Sequence, residues 1–174
     1  MLKSLLNAIS FQLFWFACVL GGDNWAVAAI VVYFVIHHVY FVRTHREWWL
    51  ILLFVVLGVV IDGALIFDGW LLMPPSIWTF PIPPPWLLGL WAGVGSLFFH
   101  CLSWGLDRPW LLSVLAAFFA PMSYLVGADF AEVSLGRSTI ATWALMAFIW
   151  FWVMQVGVFA AKLTQKRNGR KHHV

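Results

Sequence analysis

WWLILLFVVLGVVIDGALIF, residues 48–67, decides the class of this chain. The run contains a single ionisable residue, Asp62. At about 1.5 Å of rise per residue, a helix of this length reaches about 30 Å, the thickness of a bilayer's hydrocarbon core. Similar apolar segments lie on both sides of it, at 4–21, 25–42, 86–103, 110–127 and 139–161. The expected fold is therefore all-α: a polytopic transmembrane bundle of about six helices, with residues 1–174 forming one integral membrane domain.

Composition agrees. Hydrophobic residues make up 63% of the chain and charged residues 10%. Soluble domains carry about 45–50% apolar and about 25% charged residues. A soluble chain this short has nowhere to hide so much apolar surface, whereas a bilayer removes the need.

The turns set the orientation. Lys3, Arg43, Arg46, Arg108 and the tail residues Lys162, Lys166, Arg167, Arg170 and Lys171 all fall on one side of the six-segment arrangement, and only Arg137 falls on the other. Basic residues near span ends stay in the cytoplasm, which places both termini there, with 162–174 as a basic cytoplasmic tail. Tryptophans mark the two interfaces: Trp25, Trp70, Trp78 and Trp86 at the outer ends, and Trp48, Trp49, Trp104 and Trp110 at the inner ends. The net charge of +3 lies in turns and tail, so no phosphate-binding face is expected and nucleic acid is excluded as a partner.

Lys3 and the apolar run behind it imitate a signal peptide. Bulky Trp15 and Phe16 before Cys18 disfavour lipoprotein cleavage, so the segment is read as a retained helix. Cys18 and Cys101 are expected near opposite faces, too far apart for a disulfide. Residues 68–85 contain Met73-Pro74-Pro75 and Pro81-Ile82-Pro83-Pro84-Pro85, which exclude regular helix. Because Ile77, Trp78 and Phe80 are apolar, the segment is expected to lie flat at the outer interface, as a connector or a lid. Gly89 and Gly93 form a small-residue pair suited to close helix packing inside the bundle. No internal repeat suggests an inverted-repeat transporter.

Ionisable groups are expensive in a spanning helix, so each is a candidate for function. His37, His38 and His100 fall at one depth, somewhat to the cytoplasmic side of the midplane. Gln12 lies near the midplane and Asp62 in the outer half. A haem held by His100 and either His37 or His38 would need small residues around it, and the second segment is rich in Val, Ile and Tyr instead. A metal site also looks short of ligands: His37 and His38 point about 100° apart, and no carboxylate is expected at their level. Neither a cofactor nor a metal is therefore expected, and these histidines are read as proton-handling or ligand-binding candidates. Asp62 must pair, bind something or stay protonated, and Tyr124 and Gln12 are its candidate partners. Asp23, Asp68, Asp129 and Glu132 lie near the outer ends. They serve either turn and capping chemistry or an acidic mouth that attracts a cation or amine. The chain has no HExxH, GxSxG or glycine-rich phosphate loop and no histidine-box series, which weakens the corresponding enzyme classes.

The opening run NAISFQLFWFACVLG, residues 7–21, resembles a bacterial inner-membrane family defined only as domain of unknown function 2878. The spacing of apolar segments resembles that family along nearly the whole chain. The resemblance implies a single domain and a multi-pass protein of the bacterial inner membrane, and it adds Asn7, with Gln12, to the candidate residues. It implies no activity. Three readings follow: a protein binding or transporting a small amphiphile, vitamin-like molecule or lipid; a lipid-modifying enzyme using a histidine as acid–base; or a structural subunit with a membrane protein partner.

Overall fold

Backbone in hydrocarbon must satisfy its own hydrogen bonds, and helices do so within one segment. The computed structural model, which describes residues 2–77 and 82–169, is all-helical apart from short connections. Its described residues form α1 (Leu2–Tyr40), α2 (Glu47–Phe67), α3 (Pro85–Leu97), α4 (Pro109–Phe130) and α5 (Thr139–Gly169). Four of these, α1, α2, α4 and α5, are long and apolar enough to cross a membrane, and α3 is a shorter apolar helix.

Gly22 divides α1 into two limbs. Its φ of 58° is a left-handed conformation that glycine adopts without steric cost. Phe14 stacks on Tyr33 with ring centroids 4.4 Å apart. A straight helix would separate those positions by about 28 Å, so the second limb returns along the first. The break expected between residues 21 and 25 is thus a one-residue hinge.

The turns collect at two ends. At the Gly22 end, Ser76 donates to Asp23 at 2.5 Å, and β1 (Leu71–Leu72) pairs antiparallel with β2 (Ser134–Leu135). At the Glu47 end, His100 meets Glu47, and the Cys101 amide donates to Asn7 at 3.4 Å.

Helix α3 is wedged between α1 and α2, and its glycines explain the fit. A β-carbon on Gly89 would meet Ile30 at 2.8 Å, one on Gly93 would meet Phe11 at 2.8 Å, and one on Gly95 would meet the α2 backbone at Ile51 at 3.0 Å. The Gly89–Gly93 pair therefore packs within the chain. Helix α4 lies along α5 and touches α1 sparsely. Outward faces carry exposed Val31, Val35, Val60, Phe118 and Phe148, as a lipid-facing surface requires.

Several expectations need correction. The fourth segment was expected to be helical over 86–103, but α3 stops at Leu97. The Leu102 amide there reaches back five residues to the Leu97 carbonyl, which widens the turn, and a 3-10 helix follows at Ser103–Leu106. Trp86 stands at the Gly22 end, at the start of α3, but it is buried in the core rather than exposed. The β1–β2 pair has no counterpart in the sequence reading. Helix α5 continues past 161 into the basic tail as far as Gly169. Trp78, Phe80 and Pro81 of the expected lid lie outside the described residues, as do Arg170 and Lys171. Cys18 and Cys101 are both free, as expected.

Candidate functional site

Helix α4 opens a space inside the bundle. Its inward face carries Ala116, Ala120, Ser123 and Gly127, spaced three and four residues apart as one side of a helix, with Ala128 beside the last. Opposite stand large aromatics, among them Trp15 of α1, Trp86 and Trp91 of α3, and Trp150 of α5. Small residues facing large, rigid ones leave a cavity of about 320 Å³. Its lining runs from Leu71, Met73 and Val133 at the Gly22 end to Leu97 and Leu102 near the other. Ligand pockets typically occupy about 300–1,000 Å³ and are mostly apolar with a few placed polar groups. Here the hydroxyls are those of Ser123 and Tyr124.

Two further spaces adjoin it. Val19 and Trp86 are shared with a pocket of about 470 Å³ at the Gly22 end, lined also by Asp23, Ser76 and Glu132. Phe11, Trp15, Phe119 and Ser123 are shared with a groove between α1 and α4 that includes Gln12 and Phe16. Gln12 and Phe16 are exposed on the outer face, so this groove reaches the lipid-facing surface.

Asp62 stands behind the cavity wall. It is fully buried, accepting from Trp91 Nε1 at 2.6 Å and from the Tyr124 hydroxyl at 2.9 and 3.0 Å. Trp91 also stacks on Trp150 at 4.8 Å. One carboxylate thus fixes two of the side chains that wall the cavity. Of its two candidate partners, Tyr124 is engaged and Gln12 faces elsewhere.

The outer acidic candidates divide. Asp23 and Glu132 share the pocket at the Gly22 end, whereas Asp68 and Asp129 are exposed and not among its lining residues. Asp23 is engaged by the proline-rich loop: besides Ser76, its Oδ2 accepts from the Ile77 amide at 3.0 Å. Its Oδ1 is buried without a hydrogen-bond partner among the described residues. Glu132 has φ of 55°, a left-handed backbone that is uncommon for a residue bearing a β-carbon.

At the Glu47 end the structure joins His37 and His100, whose rings meet edge to face at 5.2 Å. A haem between them would have to part these rings. His38 is exposed beside Trp48 and takes no part, which follows from the 100° step between neighbouring helix residues. The expectation that no carboxylate shares this level is overturned. Glu47, the first residue of α2, is 3% exposed, and its Oε2 lies 2.9 Å from His100 Nε2. Glu47 is absent from the sequence-derived candidates, since it follows Arg46 in a short basic turn where a carboxylate is usually solvated. Its spacing of three and four residues from Thr44 and Arg43, whose amides it caps, was the available signal. Asn7 is also fully buried at this end.

Comparison with curated proteins returns no match, nor does comparison with solved structures. The family model described as "Protein of unknown function (DUF2878)" matches residues 4–156, and the chain belongs to that family.

Proposed function

We propose that this protein binds a small amphiphile within the membrane, its apolar body in the central cavity and its polar head at the Asp23–Glu132 vestibule. The observation that carries this reading is the adjacency of three spaces. An apolar cavity shares walls with an acidic pocket at one end and with a lipid-facing groove at its side. A molecule dissolved in the bilayer could enter through the groove between α1 and α4 and leave its head among the carboxylates. An acidic vestibule favours a cationic head group such as an amine.

The same reading includes six crossings of a bacterial inner membrane: two limbs of α1, then α2, α3 with its following turn, α4 and α5. Lys3, Arg43, Arg46 and Arg108 belong to the Glu47 end or its neighbouring turns and Arg137 to the Gly22 end, which supports a cytoplasmic Glu47 end and cytoplasmic termini. The vestibule then faces outward.

Equilibrium binding of two single-chain amphiphiles of equal length, one an amine and one a carboxylate, tests this in mild detergent. The amine is expected to bind more tightly, and the preference to shrink in Asp23→Asn/Glu132→Gln. Equal binding of the two would remove the vestibule's role, and failure of both to bind would remove the cavity's.

A further inference from the structure

We infer that His37, Glu47 and His100 form a binding site for a divalent transition metal of the zinc class, at the opposite end of the molecule from the acidic vestibule. The site stands independently of the amphiphile reading, since none of the three residues lines the central cavity.

The geometry is assembled from three elements. His37 comes from the second limb of α1, Glu47 from the first turn of α2, and His100 from the turn after α3. One donor atom from each lies within 4.8 Å of the other two. Tetrahedral bonds of about 2.0–2.1 Å place ligand atoms about 3.4 Å apart. The Glu47–His100 distance of 2.9 Å falls inside that spacing and the other pairs lie within 4.8 Å, so side-chain rotation would bring the three donors to it.

His37 is the independent sign of a ligand. It is 1% exposed, and neither ring nitrogen has a hydrogen-bond partner among the described residues. Buried polar atoms are nearly always satisfied, and each orphan costs about 1–3 kcal/mol. Its neighbours Tyr33, Phe34 and Phe41 present ring faces and edges, leaving His100 as the polar group in contact with it. A cation between His37 and the Glu47–His100 pair would take up an otherwise idle nitrogen lone pair.

The carboxylate is already oriented for this. Glu47 Oε1 accepts from the backbone amides of Arg43 at 3.0 Å and Thr44 at 3.2 Å, so Oε2 is the oxygen turned to the histidines. Outer contacts of this kind hold a metal's direct ligands in position. Two imidazoles and a carboxylate suit zinc and its first-row neighbours rather than calcium or magnesium, which prefer all-oxygen sets. Three protein ligands leave a fourth position for water or a polar head group.

The test is cobalt(II) titration, read by visible d–d absorption, of the full chain in mild detergent. The protein is purified without a polyhistidine tag and carries His172→Ala and His173→Ala, which removes the adjacent tail histidines as competitors. One equivalent per chain is expected, displaced by zinc. Affinity should fall by more than about 100-fold, beyond the usual loss for an outer-shell residue, in His37→Ala, Glu47→Gln and His100→Ala. His38→Ala should bind as the parent does. Should the alanine variants fail to fold, X-ray absorption of the zinc-loaded parent counts the imidazoles directly, two being expected. No cobalt bound by the parent, or binding unchanged in a folded His37→Ala/His100→Ala variant, or a zinc spectrum without imidazole, overturns the proposal.

Discussion

At the residue scale, Asp62 organises the cavity wall. Its two oxygens hold Trp91 and Tyr124, and through Trp91 they fix the stacked Trp150. Removing an acceptor that serves two buried donors costs more than removing one donor. Asp62→Ala should therefore lower stability in detergent by about 2–4 kcal/mol, since both donors are orphaned, and Tyr124→Phe by about 1 kcal/mol. Thermal unfolding of the purified variants checks the order, and equal losses would mean that the carboxylate is held by something else. Asp62→Asn keeps the shape but turns one acceptor into a donor facing a donor. It should insert normally, lose stability less than the alanine variant, and retain less amphiphile. Wild-type retention would remove Asp62 from the account of binding. Asp62 was legible in the sequence because an ionisable residue in an apolar run has few explanations. Glu47 was not, because the burial of a helix's first residue depends on what packs over it, and the turn carrying His100 comes from far along the chain.

At the scale of elements, α3 is the piece on which the bundle closes. It is short, nearly all of it is buried, and its glycines admit α1 on one side and α2 on the other. Gly95 approaches the α2 backbone, which has no rotamer by which to yield. Gly95→Leu should cost about 1–3 kcal/mol or more through overpacking, read as a lower midpoint of thermal unfolding. Unchanged stability would place α2 further from α3 than described. The helices themselves were readable from hydropathy. The early end of α3 was not, because Phe98 to Leu102 are as apolar as the helix before them and only the widened turn at Leu97 marks the boundary. The β1–β2 pair was hidden for a related reason: two-residue strands have no period to detect, and their pairing joins loops far apart in sequence. The small-residue face of α4, by contrast, was present in the sequence at helical spacing. Its meaning depends on the bulk of what stands opposite, which only the fold supplies.

At the scale of the molecule, the two ends differ in chemistry. The Gly22 end presents carboxylates over an apolar cavity, and the Glu47 end buries two histidines and a glutamate beneath the basic turns. In the orientation proposed, a cysteine placed at Ser76 should react with a membrane-impermeant thiol reagent added to intact cells, and one at Thr44 should react only after lysis. Both are made with Cys18 and Cys101 replaced by alanine. The reverse pattern would invert the protein and turn the vestibule toward the cytoplasm. The central claim is that an amphiphile occupies the space between α4 and the aromatic wall. Native mass spectrometry of the gently purified protein tests it most directly, comparing wild type with Ala120→Trp, which fills that space from the α4 side. A reproducible bound mass is expected on the wild type and a bare chain for the folded variant. A bare wild-type chain, or the same mass carried by both, would contradict it.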